Sequence, residues 1–474
     1  MRIRSILGTL VIASLPAMPA LAEDMSPEDI KRMVDEAVEK RLQQREQETM
    51  AEKRLEEQGQ RTSPMAGPPV SHPGTGVAGT TEPRKSLGSM SEPRSLGKKY
   101  DSAMQGSGGL IYARPFVSAP KAIVGGYMDI EYINRARSAN PSFFDQHRLV
   151  PFIYGDVSEH VKFAAEIEFE HGEELSVEFA TIDYLINDAF NLRGGIVLLP
   201  VGKFNLLHDS PLRDLTERPL VDQRIIPSTF HQPGVGFYGT VYPSQLSQLN
   251  YEFYVTSGFT NAFGGQGNPD NTSNITATNG FRSARTSNTE FDNNNGKAVT
   301  GRVAFSPILG VEIGGSGHFG AYDPGSTRPA SIVAVDWTFQ RGQWELIGES
   351  AWGYARDNNL DVDGTPNGNP RRMQGYYIQM NYHFLPQWLT KLAPTHFRQD
   401  ISTFTAVVRW EELHMAQDLA QPNVGDRQRL TLGLNFRPTE DTVFKTDFQY
   451  SPEEVRGNQR IHDTAFLASI ATYF

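Results

Sequence analysis

From about residue 122 onward the chain is built of short segments in which apolar and polar side chains alternate with a period of two, separated by clusters of Gly, Asn, Asp and Pro. That period belongs to β-strands with two unlike faces and excludes helical packing for most of the polypeptide. In the run from Val161 to Glu170, Val161, Phe163, Ala165, Ile167 and Phe169 face one way, while Lys162, Ala164, Glu166, Glu168 and Glu170 face the other. Leu249, Tyr251, Phe253 and Val255 alternate with Asn250, Glu252, Tyr254 and Thr256. Leu430, Leu432, Leu434 and Phe436 alternate with Arg429, Thr431, Gly433 and Asn435, and Val299, Val303 and Phe305 oppose Thr300, Arg302 and Ala304. Sixteen strands are expected, beginning near 122, 147, 160, 174, 190, 234, 248, 298, 310, 331, 343, 373, 400, 428, 442 and 463.

A soluble β-sandwich alternates in the same way, so the connections must decide. They alternate between short and long. Tight turns follow Tyr154, Ile186, Phe305, Phe339 and Arg437, whereas 134–146, 202–233, 258–297, 355–371 and 412–427 are long. Short turns at one rim and long loops at the other, with an even strand number, describe an outer-membrane barrel. One connection departs from the rule: Leu385 to Phe397 lies on the short side. The last strand ends on Phe474, with Phe466, Ala468, Ile470 and Thr472 on the same face, and resembles the assembly signal of bacterial outer-membrane barrels. The expected fold is an all-β, 16-stranded antiparallel transmembrane barrel over residues 110–474. Closure would leave no unpaired strand edge for lipid to meet.

The segments before the barrel have other compositions. Met1, Arg2 and Arg4 precede the apolar stretch 6–15, and Ala20-Leu21-Ala22 supplies a small-x-small cleavage pattern, so residues 1–22 read as a signal peptide. Residues 23–60 read as a periplasmic helix: Ser26 and Pro27 suit its start, and Ile30, Val34, Val38 and Leu42 form one stripe. The stripe could support a short coiled coil or simply face solvent, since no continuous heptad can be placed. Residues 61–109 are a Pro-, Gly- and Ser-rich linker, too poor in apolar residues to offset chain entropy. The chain has no Cys, which excludes a disulfide scaffold and Cys-ligated metal sites. Its 44 basic and 55 acidic residues argue against a nucleic-acid partner.

Within the barrel region, Phe190-Asn-Leu-Arg-Gly-Gly-Ile-Val-Leu-Leu-Pro-Val-Gly202, Pro233-Gly-Val-Gly-Phe-Tyr-Gly239 and Leu430-Thr-Leu-Gly-Leu-Asn-Phe-Arg-Pro438 resemble the phosphate-selective porin O/P family of Gram-negative outer membranes. The resemblance covers roughly residues 120–474. It implies a trimeric sixteen-stranded pore whose third external loop, here 202–233, folds inward to narrow the channel.

That loop carries Lys203, Arg213, Arg218 and Arg224 against Asp209, Asp214, Glu217 and Asp222, with His208 in addition. Inward strand positions hold Lys162, Arg193, Arg302, Arg409 and Arg429, opposed by Glu166, Glu168, Glu170, Glu178, Glu252, Glu312, Glu345, Glu349 and Glu411. From residue 110 onward there are 29 basic and 40 acidic residues, whereas the family's phosphate selectivity depends on a basic track. The expected function is therefore a general porin for small hydrophilic solutes or ions, non-selective to mildly cation-preferring. The competing expectation is an envelope structural or adhesive protein, anchored by a plugged barrel and touching cell wall through its N-terminal helix. The expected partners are outer-membrane lipid, the permeant ions or solutes and two further copies of the chain.

No enzyme and no cofactor are expected. The eleven His are scattered, with neither H-E-x-x-H nor G-x-S-x-G, and Glu166 and Glu168 lie on one strand rather than on opposed walls. Ser95-Leu-Gly-Lys98 matches S-x-x-K inside the linker, a chance match without a pocket around it. Asn359-Leu-Asp-Val-Asp-Gly364 opens like a calcium loop, but Pro370 stands where the bidentate Glu belongs, so an Asx-rich turn is expected. The glycosylation sequons at Asn271 and Asn274 lie in an Asn/Gly-rich loop where chance matches are common.

Overall fold

The computed structural model describes residues 122–474 apart from 138–141, 260–274, 286–293, 324, 357–369, 417–424 and 457–458. The signal peptide, the N-terminal helix, the linker, the calcium-like turn and the sequons lie outside the described residues.

Period-two alternation becomes sixteen strands. They are β1 (Ala122–Arg135), β2 (Ser142–Asp156), β3 (Val161–Glu170), β4 (Glu174–Asn187), β5 (Phe190–Leu198), β6 (His231–Ser244), β7 (Ser247–Thr256) and β8 (Ala298–Ile308). The second half continues with β9 (Val311–Ala321), β10 (Pro329–Arg341), β11 (Trp344–Ala355), β12 (Arg372–Phe384), β13 (Thr403–His414), β14 (Arg427–Thr439), β15 (Thr442–Arg456) and β16 (Gln459–Tyr473). Each pairs antiparallel with its sequence neighbours, and β1 closes on β16 with Ile130 opposite Ile470. At that seam the backbone N–H of Gly126 donates to the Phe474 carbonyl at 3.1 Å, and Phe474 N–H donates back to the Gly126 carbonyl at 2.9 Å. Phe474 therefore completes the closing strand pair.

The distribution of side chains is the reverse of a soluble protein's. On β14 and β15 the apolar residues Leu432 (46% exposed), Leu434, Phe444 and Phe448 (49% exposed) point outward. Thr431, Asn435, Lys445, Asp447 and Gln449 are buried inside. An apolar surface of that extent is costly in water and matches a hydrocarbon surround, which strands of about 9–11 residues span. Near the short-turn rim an aromatic row runs from Trp344 over Tyr382, Phe384 and Phe404 to Phe436, with neighbouring rings 4.5–5.8 Å apart. Such girdles mark the lipid–water boundary of barrels. The connection 385–402, the long exception on the short side, carries a helix, α1 (Gln387–Leu392), with Trp388 and Leu392 exposed beside Lys391.

Leu432→Arg should destabilise the folded barrel by about 2–4 kcal/mol if this face meets hydrocarbon. Urea unfolding in lipid vesicles measures the difference, and an unchanged midpoint would deny Leu432 a lipid-facing place.

Candidate functional site

The segment between β5 and β6, residues 199–230, turns into the barrel. Its entry is set by local chemistry. Pro200 ends strand pairing, and Gly202 takes a φ of +70°, which only glycine adopts freely. A Cβ at Gly202 would stand 2.2 Å from Oε1 of Glu349 on β11, so the backbone can approach that carboxylate only without a side chain. The N–H groups of Lys203 and Phe204 then donate to Glu349 Oε2 at 2.8 and 3.2 Å, and Gly202 N–H donates to Ser316 Oγ at 2.9 Å.

The two stems of the loop are tied by one side chain. Asn205 Nδ2 donates to the carbonyls of Leu199 and Phe230 at 2.8 and 3.0 Å, and its Oδ1 accepts from Phe230 N–H and Ser228 Oγ at 2.8 and 2.6 Å. With Asn205 buried, all of these bonds are shielded from water.

Beyond the stems, Lys203, His208, Arg213, Asp214 and Glu217 reach charges of the barrel wall. Lys203 Nζ lies 3.0 Å from Glu312 on β9, Arg213 lies 3.4 Å from Asp129 on β1, and Asp214 lies 3.4 Å from Arg437 on β14. Glu217 is held by Arg135 of β1, by Arg429 of β14 and by Gln449 of β15 at 3.0 Å. Arg409 donates to the Glu217 carbonyl at 3.0 Å, and Arg429 donates to the Arg218 carbonyl at 2.9 Å. Lys445 Nζ donates to the Ser210 carbonyl at 2.9 Å. His208 faces Glu178 on β4 at 3.2 Å. Leu215 sits against Gly433, where any Cβ would come within 2.2 Å of it.

The middle of the loop forms a short helix, α2 (Leu220–Arg224), whose first N–H donates to Glu411 at 2.8 Å. Its Leu220 and Val221, with Ile225 and Ile226 just after it, build a core inside the barrel with Phe230, Phe259 and Phe281. Phe259 stacks between Phe230 and Phe281 with centroids 5.2 and 5.0 Å apart, so the following long loop adds to the same core.

The wall residues expected from sequence are paired as well. Arg193 makes a two-pronged contact with Asp183, with Nη2 2.8 Å from Oδ2, and stands 4.4 Å over the Tyr238 ring. Arg302 joins Asp336 at 2.6 Å and Glu312 at 3.1 Å. Arg409 and Arg429 share Glu411, and Glu168 holds Arg148 at 2.9 Å. Glu166 accepts from Tyr154 at 3.2 Å. Lys162 pairs with Asp156 across the short turn at 2.8 Å and borders a cavity of about 480 Å³ with His160, Asn191 and Tyr251.

Arg218 turns back into its own loop, donating to the Ser228 carbonyl at 2.5 Å. Half-buried Arg224 contributes its carbonyl to Phe281 N–H at 2.9 Å. Sequence reasoning missed Arg437 and Lys445, although both occupy inward positions on strands whose alternation was plain. It also missed Arg148, whose strand is apolar on both faces from Leu149 to Tyr154.

Two loop carboxyls differ in character. Burial would raise the Glu217 pKa, but Arg135 and Arg429 overcome it and hold the group well below the usual carboxylate range. Asp222 is pushed well above that range by burial and by the neighbouring Glu349 carboxylate. A raised folded-state pKa means that folding retains a proton which the unfolded chain gives up above about pH 4, so stability falls as pH rises past that point. Asp222→Asn should remove this slope. Unfolding midpoints of the two proteins should converge near about pH 4, with the variant ahead at neutral pH. Parallel profiles would show that Asp222 is ionised in the fold.

These features define a closed β-barrel, apolar outside and charged inside, with a loop of its own chain packed across the interior. No family model matches the chain. An uncharacterized protein of Aquifex aeolicus (strain VF5) is 27% identical over 353 residues, covering 69% of this chain and 74% of that protein. Among solved structures, the anion-selective porin from Comamonas acidovorans aligns with a TM-score of 0.48 at 10% identity, over 74% of this chain and 99% of that one. The outer membrane channel DcaP of Acinetobacter baumannii aligns with a TM-score of 0.44 at 12% identity, over 74% and 97%. Salmonella typhi OmpF aligns with a TM-score of 0.46 at 10% identity, over 74% and 97%.

Proposed function

We propose that the protein is a bacterial outer-membrane porin whose lumen is narrowed by its own loop 199–230, passing small hydrophilic solutes or ions by diffusion. The observation that carries this reading is the packing of that loop across a sixteen-stranded barrel, held by ion pairs to β1, β9 and β14. A bare barrel of this strand number leaves an aqueous channel, so a loop inside it sets the passage.

Selectivity follows from how the charges are spent. Arg193, Arg302, Arg409 and Arg429 each have an acidic partner, which leaves no basic ladder among them for an anion to climb. With 55 acidic against 44 basic residues overall, the small residual field favours cations. Phosphate selectivity is not part of this proposal. Export by residues 1–22, assembly as a homotrimer and a periplasmic place for residues 23–60 belong to the same reading.

A second reading has an observation of its own. Arg148, Arg409, Arg429, Lys445, Glu178 and Glu411 point inward from five strands and are all buried, as in a plugged barrel that only anchors the chain. Planar-bilayer recording of refolded mature protein under a KCl gradient separates the two. The porin gives discrete steps with a reversal potential at or slightly to the cation side of zero. Absence of steps favours the anchor, and anion preference with block by phosphate overturns the selectivity argument.

A further inference from the structure

We infer that Asp145, His147 and His171 form a binding site for one zinc-class divalent metal ion at the long-loop rim of the barrel.

The site is created by a break in strand register. Along β2 the inward residues are Tyr154, Phe152, Val150 and Arg148, every second position. Asp129 of β1 pairs with Arg148, but Glu131, two residues on, pairs with Asp145, three residues on. One extra residue on β2 therefore makes a β-bulge, which turns His147 and Asp145 to the same side. The N–H of His171, in the tight turn between β3 and β4, donates to the His147 carbonyl at 3.3 Å and brings the second imidazole alongside.

The donor atoms already converge. Oδ2 of Asp145 lies 2.8 Å from His171 Nδ1 and 3.6 Å from His147 Nδ1, the rings are 5.5 Å apart, and one donor atom from each of the three residues lies within 4.8 Å of the others. His171 has a φ of +54°, unusual for a residue with a side chain, and it is this backbone turn that presents the ring. Glu170, Glu173 and Glu174 surround the turn with negative charge.

Two imidazoles and one carboxylate, with further positions open to solvent, suit zinc and its borderline neighbours better than calcium or magnesium, which prefer all-oxygen shells. The side chain of His171 is 48% exposed, so an ion has a route in. The site does not depend on whether the barrel conducts.

The test uses the full mature chain in detergent, with Zn²⁺ followed by titration calorimetry and Co²⁺ by its visible absorption bands. The wild type should take up one ion per protomer at micromolar concentration. His171→Gly relieves the backbone and removes a ligand, and His147→Gln removes the other imidazole. Each should weaken uptake by roughly tenfold or more while sheet circular dichroism stays unchanged. No stoichiometric uptake by the wild type, or uptake that either variant leaves unaltered, would overturn the assignment.

Discussion

Replacing residues 203–229 with a short Gly/Ser bridge should raise single-channel conductance several-fold. The change is feasible because the stems are already neighbours: Leu199 N–H donates to the Phe230 carbonyl at 2.9 Å. Nothing need stretch to reconnect them. Removal strips Glu217, Lys203 and Arg213 from the interior and takes the buried cluster of Leu220, Val221, Ile225 and Ile226 with them. The wall charges left behind, Arg429, Arg437, Lys445 and Glu178, would then face water that can solvate them, so the cost of losing their partners is moderated. If the shortened protein conducts no better than the wild type, the barrier lies elsewhere.

Arg429→Ala should be the most damaging single substitution in the barrel interior, at about 3–5 kcal/mol. Arg429 contacts Glu411 with Nε at 2.5 Å, binds Glu217 and donates to the Arg218 carbonyl at 2.9 Å. Removing it leaves the buried Glu411 to Arg409 and the Leu220 N–H, and the partly buried Glu217 to Arg135 and Gln449. Adding Glu217→Gln in the same protein should recover part of the loss, because one stranded charge disappears; the recovery is a coupling that a double-mutant cycle reads directly. The pH dependence is also defined. Glu217 has a depressed pKa in the fold, so its contribution is present above about pH 4.3, the unfolded value, and is lost as pH falls. Glu217→Gln alone should therefore cost more at neutral pH than in acid. Strictly additive losses, or a pH-independent cost, would mean that the Glu217–Arg429 pair does not carry the loop.

Much of the barrel was legible because an apolar outer face and a polar inner face write a period of two into most strands. Expected strand starts at 122, 174, 190, 298 and 442 coincide with Ala122, Glu174, Phe190, Ala298 and Thr442. The largest displacement is at β2, expected near 147 and beginning at Ser142. The bulge there interrupts alternation and so hid the strand's first residues, while the inward place of Arg148 was hidden because β2 is apolar on both faces from Leu149 to Tyr154. β13 was expected near 400 and begins at Thr403, because α1 and its flanking turns occupy the preceding connection.

The loop's length and charges were visible, but its partners were not. Glu217 meets Arg429 across 212 positions of sequence, and no local pattern encodes such a pairing. The loop carries four basic and four acidic residues, and it is closure of the barrel that brings wall residues of opposite sign to Lys203, Arg213 and Asp214. The apolar stripe of Leu220, Val221, Ile225 and Ile226 gave no signal of an interior core, since only the fold supplies Phe259 and Phe281 to cover it.

The central claim is that one face of each strand meets hydrocarbon while the other meets the filled interior, and β14 offers the most direct test. The chain has no Cys, so single cysteines placed in turn at positions 430, 431, 432, 434, 435 and 436 can carry a nitroxide label without interference. In lipid vesicles, oxygen accessibility should peak at 430, 432, 434 and 436 and fall at 431 and 435; Gly433 stays unlabelled because a Cβ there would stand 2.2 Å from Leu215. A flat profile, or one with the peaks on the odd positions, would contradict the barrel's orientation and with it the channel.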